Sequence, residues 1–423
     1  MRVLHVTPHL GGGVGKAVSG LVLSPDGTEH VIACLERPEK TQVVDLICAA
    51  GRRVLVAPND AELAAEMRAA DVVQIEFWNH PLIPKLLCRT DLPWCRVLVW
   101  GHMSGVGAAR FPPNLFPSMD HVVLTTAASL SLLDGVPADH PRVTVVSSGS
   151  VDELPPPPIR SGQVGTLRAG YVGTLNPSKL HPDFVGLLAD VDIAGFQVTM
   201  VGDRVGQPEL EAQCRRMGRP GLLQFTGYVT DVPRLLAEFD VLLYLLNPDH
   251  YGSAENALLE AMAMGVVPVV MDNPSERKIV EDGVTGIVVH DRASLASALR
   301  RLATDPDFRA RLSTQAADSV RSRYGVAQMR AAMAKVYASV LTVARHPPPD
   351  GRAIFGPTPA DWFLSFLRDR APFVDDGRLD LPPGRTPDPA LMESSKGTVF
   401  HFLRAFPQDP RLQAWARALR ERE

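Results

Sequence analysis

The sequence is poor in the features that mark extracellular, membrane-spanning or nucleic-acid-binding chains. It has five cysteines in 423 residues, Cys34, Cys48, Cys88, Cys95 and Cys214. They are odd in number, widely spread and form no C-x-x-C, which argues against a disulfide framework and predicts a reduced, cytoplasmic chain. No uninterrupted apolar run approaches the roughly 20 residues of a membrane helix. Polar "TPHLGGG" follows the first apolar residues at once, so no signal-peptide core is expected, and any membrane association would be peripheral. The formal net charge is -4, and no Lys/Arg run is interleaved with aromatics. Nucleic acid is therefore not an expected partner. What the chain does have is 45% hydrophobic and only 21% charged residues, the balance of a packed globular protein.

The length suggests two to three domains. Seven short apolar runs appear first: "MRVLHVT", "EHVIACL", "RRVLVA", "DVVQIEF", "CRVLVW", "DHVVLTT" and "RVTVVSS". Helix-like segments lie between several of them. Apolar runs that do not alternate with polar residues suggest strands buried on both faces, as in a parallel sheet. Four consecutive prolines in "VDELPPPPIRSGQVG" then indicate a stiff linker. After it the alternation restarts: "TLRAGYVG", "FQVTMVG", "GLLQFTG", "FDVLLYL", "VVPVVM" and "TGIVV". The pattern predicts an α/β protein of two Rossmann-like, doubly wound domains whose strand ends face a cleft. The expected boundaries are 1–154, a Pro-rich linker 155–165, 166–345, and an extension 346–423. That extension is rich in proline yet carries Trp362, Phe363, Phe366, Phe400, Phe402, Phe406 and Trp415. Disordered tails are poor in aromatics, so it is expected to be an irregular segment docked through those rings.

Two stretches carry chemistry. "HLGGGVGKAVSGL" joins the first strand to a helix expected from about Val14. A Walker A loop fails, because Leu10 stands at the first glycine position and Ala17 at the Ser/Thr position. A G-x-G-x-x-G fingerprint fails as well, with Lys16 at its third glycine. What remains is a flexible turn that aims helix N–H groups at something negative, or a tight turn without a ligand. The second stretch is "YGSAENALLEAMAMGVVPVVMDNPSERKIVEDGVTGIVV". Ser253 is the expected cap of a helix over 254–264 ended by Gly265. Its N-terminus would suit a diphosphate, and the Glu260 carboxylate could accept from both hydroxyls of a ribose.

At these residues the chain resembles the retaining glycosyltransferases of family 4, which have the GT-B fold. The resemblance spans roughly residues 1–340. It matches Glu260 to the second acid of the family's E-x7-E motif, which binds the ribose of a nucleotide sugar. "YVGTLNPSK" matches the phosphate-binding segment and implies that Gly173, Thr174 and Lys179 meet the donor diphosphate. "WGHM" places His102 where the family has a histidine near the donor sugar. "GGVGKA", with Gly12, Gly13 and Lys16, matches the glycine loop of the first domain.

Two positions depart from the pattern. The first acid of E-x7-E falls on Gly252, and the arginine usual after the phosphate-segment glycine is Thr174. Lys16 or Arg204 is a candidate substitute for that cation. Glu255 is a candidate replacement acid, but in a continuous helix it would sit about 140° from Glu260. Asn256 would share the Glu260 face and is the preferred ligand, with Glu255 as a first-turn carboxylate. Asp203 is read as a helix cap, and Glu276 as either a diphosphate-side group or a helix-start acid. The resemblance implies retaining, metal-independent transfer from a nucleotide-diphosphate sugar, with no further cofactor. A GT-B nucleotide-sugar epimerase and a nucleotide-sugar-binding protein without catalysis remain open. The resemblance leaves the acceptor as a glycan, a lipid-linked sugar or a small molecule.

Overall fold

Each of the thirteen apolar runs becomes a strand in the computed structural model. The structure describes the chain except residues 24–26, 108, 133–139, 150, 159–163, 382–388, 396 and 423. The middle of the expected linker and most of "LPPGRTPD" thus lie outside the described residues. Two compact units form, one from residues 1–148 and 327–423 and one from residues 149–326.

The first unit holds β1 (Arg2–Thr7), β2 (Glu29–Cys34), β3 (Arg53–Val56), β4 (Val72–Phe77), β5 (Val97–Gly101), β6 (His121–Leu124) and β7 (Val143–Val145). Their order is β3-β2-β1-β4-β5-β6-β7, parallel throughout. The second unit holds β8 (Ala169–Val172), β9 (Val198–Val201), β10 (Leu223–Gly227), β11 (Val241–Tyr244), β12 (Val267–Met271) and β13 (Ile287–Val289). Their order is β10-β9-β8-β11-β12-β13, also parallel. In both sheets the order reverses beside the first strand, between β1 and β4 and between β8 and β11. Such a switch opens a crevice at the carboxyl ends of the strands.

Two parts of the chain pack differently from the sequence reading. The helix Val326–Leu341 is built almost wholly into the first unit rather than the second. Its Tyr337 hydroxyl donates to Gln74 Oε1 at 2.6 Å, which gives a buried polar group on β4 the partner it needs. The extension is also not irregular. It forms the helices Gly351–Phe355, Pro359–Ser365, Val399–Ala405 and Pro410–Arg420. Asp350, Thr358, Thr398 and Asp409 cap them by accepting from first-turn N–H groups. "TPAD" and "DPR" are cap-plus-proline helix starts, masked in the sequence by the surrounding prolines.

The extension completes the core of the first unit. Leu4, Val6, Val73, Ile75, Phe77, Val97 and Val99 pack in one apolar cluster with Phe355, Phe363, Phe366, Phe402 and Trp415. Phe77 stacks with Phe111 at 5.8 Å and Phe355 at 6.5 Å between ring centroids. Trp415 is fully buried, and its indole N–H donates to the Val374 carbonyl at 3.0 Å. Trp415→Phe should keep most of the packing and lose that hydrogen bond, while the carbonyl keeps the Gly377 N–H at 3.0 Å. We expect a loss of about 0.5–1.5 kcal/mol in urea unfolding followed by tryptophan emission. All five tryptophans, Trp78, Trp94, Trp100, Trp362 and Trp415, lie in the first unit, so the emission reports that unit alone. Among the described residues, no helix is long and apolar enough to cross a membrane.

Candidate active site

In the second unit, the candidate side chains gather at the carboxyl ends of β8 and β11, where the strand order reverses. The turn after β9 needs glycine. A β-carbon on Gly202 would lie 1.9 Å from the Gly173 carbonyl oxygen, so the turns after β8 and β9 touch backbone to backbone. Asp203 ties them together by accepting from the Leu175 and Val205 N–H groups. It does not cap the following helix, Gln207–Arg216, which starts after Gly206. The Thr174 carbonyl accepts from the Tyr171 hydroxyl at 3.0 Å. Arg204 lies against Gly227 at the end of β10.

The loop after Thr174 delivers Lys179 into a buried position. Its ammonium lies 2.7 Å from Glu255 Oε2 and 5.3 Å from the centroid of the Tyr244 ring. The Tyr244 hydroxyl donates to the same Oε2 at 2.5 Å. Glu255 Oε1 accepts no hydrogen bond among the described residues, with His250 Nδ1 3.7 Å away. Burial alone would raise the Glu255 pKa. The Lys179 ammonium, together with His250 and the Tyr244 hydrogen bond, outweighs it and holds the carboxyl below the usual carboxylate range. Burial likewise works against the lysine's charge, and Glu255 reverses that, so the ammonium is held above its ordinary value. Both groups are therefore ionised at neutral pH. Tyr244 is pushed well up by burial and by the Glu255 charge, so it stays a donor.

The backbone corrects the sequence reading here. The helix runs Asn256–Ala263, and Glu255 is its N-cap in the left-handed conformation at φ 48°. Ser253 is buried but is not the cap. The angular comparison of Glu255 with Glu260 assumed a continuous helix. The left-handed residue ends that assumption and turns the carboxylate inward onto Lys179. A β-carbon on Gly252 would fall 2.0 Å from Glu255 Oε1 and 2.5 Å from Lys179 Nζ. The space beside residue 252 is thus occupied by the ion pair. Asn256 opens the helix, with its buried Oδ1 accepting no hydrogen bond among the described residues. Glu260 follows one turn later, half-buried.

A deeper layer supports this pair. His250 Nδ1 accepts from the Gly252 N–H at 3.0 Å, which leaves its hydrogen on Nε2 to donate to Glu276 Oε2 at 3.2 Å. Asn273 Nδ2 donates to Glu276 Oε1 at 3.2 Å. Glu276 is fully buried, so it is an inner member of the cluster rather than a surface helix-start acid. Tyr244, His250 and Asn273 were not singled out from the sequence. The available signal was weak: a tyrosine ending an all-apolar strand, and polar residues just past strand ends.

The first unit holds the remaining candidates. The helix Gly12–Val22 begins two residues before the expected Val14, with Gly11 as cap. Gly12 and Gly13 are exposed and Lys16 is half-buried in its first turns. A β-carbon on Gly15 would lie 2.3 Å from the Leu10 carbonyl oxygen, so one glycine of this loop serves packing. His102 follows β5, and its Nε2 lies 2.7 Å from Glu76 Oε2. Glu76, at 0% exposure, also accepts from His5 Nδ1 at 2.9 Å and Gln74 Nε2 at 2.7 Å. Burial would raise its pKa, but the hydrogen bonds from His102 and His5 hold it down at about 2. An ionised Glu76 fixes the His102 hydrogen on Nε2 and leaves Nδ1 as an acceptor. Its signal was legible in "VVQIEF", where two polar residues sit inside a strand buried on both faces.

Residues 166–305 match the family of glycosyl transferases group 1. The chain is 26% identical over 176 residues to an alpha-D-kanosaminyltransferase of Streptomyces kanamyceticus, covering 40% of this chain and 45% of that protein. It is 25% identical over 174 residues to the lipopolysaccharide core biosynthesis glycosyltransferase LpsD of Rhizobium meliloti, covering 40% and 50%. The chain thus spans about half the length of the curated relatives it matches. Among solved structures it is similar to Anabaena Alr3699/HepE in complex with UDP and glucose, with a TM-score of 0.65 at 15% identity. That likeness covers 80% of this chain and 100% of the other. A glycosyltransferase from Rickettsia africae gives a TM-score of 0.64 at 15% identity, covering 81% and 99%. The two Rossmann-like units are those of the GT-B fold.

Proposed function

We propose that this chain transfers a sugar from a nucleotide-diphosphate donor, bound by the second unit, to an acceptor hydroxyl, with retention at the anomeric carbon. The observation that carries the reading is the buried Lys179–Glu255 pair at the β8–β11 switch, inside the segment that matches glycosyl transferases group 1. UDP is the nucleotide to try first, because a structural neighbour was solved with UDP and glucose. In this reading the anomeric C–O bond breaks and its electron pair leaves on the diphosphate. The acceptor oxygen bonds to the same face, and its proton passes to the departing phosphate. Negative charge grows on the leaving group, so a fixed ammonium is the largest aid the site offers. Lys179 supplies it, with the N–H groups opening the helix at Asn256. No metal or further cofactor enters this reading. Glu260 takes the ribose hydroxyls.

Glu255 replaces the acid expected at position 252. Its carboxylate stands where a side chain on residue 252 would point, and Oε1 retains acceptor capacity for sugar hydroxyls. Thermal shift against a panel of nucleotide sugars, followed by mass spectrometry of products, tests the reading. Stabilisation by no nucleotide sugar would sink it, and donor binding without any product would favour the binding protein. The acid assignment has its own test. Gly252→Glu puts two carboxylates on one ammonium and should cut turnover about tenfold or more. Gly252→Glu combined with Glu255→Gly should recover most of it. A double variant no better than the single one would show that Glu255 does not stand in for the missing acid.

A further inference from the structure

All seven strands of the first sheet run parallel, so their first residues share one edge, opposite the strand ends that carry the glycine loop and His102. At or just before those starts stand Arg2, Glu29, Arg53, Asp71, Arg96, Asp120 and Arg142. Arg68 lies in the last turn of the helix Asp60–Ala69. Arg345 joins them by donating to the Arg68 and Ala70 carbonyls at 2.8 and 2.6 Å. The two glutamates of this edge are matched. Glu66 takes Arg2 and Arg53, each at 2.7 Å, and Glu29 takes Arg2 at 3.3 Å. Asp120 accepts from the Val97 N–H at 2.7 Å and lies 2.9 Å from His346 Nε2, and Asp71 accepts from the Arg2 main-chain N–H at 2.8 Å. Four arginines have no carboxylate partner among the described residues. Arg96 donates to the Val343 and Asp71 carbonyls and Arg142 to the Met119 carbonyl. Arg345 donates to the two carbonyls already named, and Arg68 is exposed.

A carbonyl holds a guanidinium in place without cancelling its charge. Against these four cations stand only Asp71 and Asp120, and Asp120 also serves His346. The edge is therefore a fixed positive field on a chain whose formal net charge is -4. It also exposes apolar side chains. Trp94, two residues before Arg96, is 64% exposed, and Leu341 is 38% exposed. Cys95 pairs with His346 in an antiparallel bridge, and Arg96 reaches the Val343 carbonyl, so the Trp94 segment runs beside the segment that follows Leu341. The arginines alone would suit the phosphates of a nucleic acid. An exposed indole beside them needs an apolar layer directly beneath the negative charge, and an anionic bilayer surface has both. A second copy of this edge would set like charges against each other.

We infer that the amino edge of the first sheet docks on an anionic lipid surface through Arg68, Arg96, Arg142, Arg345 and Trp94. This goes beyond the proposed sugar transfer and does not rest on it. The test sediments the full chain with extruded vesicles of POPC alone, or of POPC with about 30 mol% POPG. The chain should bind the anionic vesicles and leave POPC alone. Raising sodium chloride from about 0.1 to 0.5 M should weaken that binding tenfold or more. Trp94 is the most exposed tryptophan, so binding should shift the emission to the blue, and a brominated phosphatidylcholine in the vesicles should quench it. Trp94→Ala should lose both signals. Arg68→Glu with Arg142→Glu should weaken vesicle binding about tenfold or more. Arg417→Glu with Arg420→Glu, on the exposed face of the last helix, should leave it unchanged. Far-UV circular dichroism checks that each variant is folded, and Arg68→Glu alone serves if its pair is not. Equal binding to both vesicle types, binding to neither, an unshifted emission on bound vesicles, or equal losses in the two arginine pairs would each overturn the inference. Binding to a duplex oligonucleotide in place of the vesicles would overturn it in favour of a nucleic-acid face.

Discussion

Lys179→Met is expected to cost the second unit about 3–5 kcal/mol, because it strands the Glu255 carboxylate without its cation in a buried site. It should also slow sugar transfer about a hundredfold or more, the usual scale for losing one preorganised group at a developing charge. The stability loss has a clean readout. Every tryptophan lies in the first unit, so a transition seen by far-UV circular dichroism and absent from tryptophan emission belongs to the second. Adding Glu255→Gln to Lys179→Met removes the stranded charge and should restore most of the stability. It should not restore turnover, because the ammonium is still missing. Recovery of both together would mean that Lys179 serves the fold alone.

The second large effect concerns Glu76. Glu76→Leu takes the shared acceptor from His5, Gln74 and His102 at once and leaves buried donors unpaired. We expect about 3–5 kcal/mol of destabilisation in the first unit, read by tryptophan emission in urea. The effect carries a pH signature. The carboxyl titrates at about 2 in the folded chain against an ordinary 4.5. A depressed folded value means that the contribution is complete above 4.5 and fades as pH falls from 4.5 toward 2. Glu76→Leu should therefore flatten the acid limb of the stability profile in that window. An unchanged acid limb would remove the account of Glu76 as a hydrogen-bonded carboxylate. Glu76→Gln isolates the positioning effect. The two other donors hold the amide oxygen, and its NH2 faces His102, which moves the ring hydrogen to Nδ1.

Much of this was legible in the sequence, for a definite reason. A parallel strand buried on both faces must be apolar at nearly every position, so such runs identify the strands, and the edge strands β3, β7 and β10 keep enough of the pattern to be read although partly exposed. The helix and glycine turns around Lys179 and Glu260 are equally local, though the cap expected at Ser253 is not the one that forms. Where a side chain points is not local. Glu255 reads as an ordinary first-turn acid until one left-handed residue turns it onto a lysine 76 positions earlier in the chain.

By itself the sequence determined the α/β class, the two sheets and the glycine turns at their strand ends. Those follow from hydrophobic period and turn chemistry, which act over a few residues. Only tertiary structure decided which groups share a site. It moved the helix Val326–Leu341 and the extension into the first unit and closed the Glu76 network across β1, β4 and β5. It also filled the space beside Gly252 with the ion pair of Glu255 and the distant Lys179. A buried charge or polar group is settled by whichever partner reaches it first through space, and distance along the chain carries little of that information.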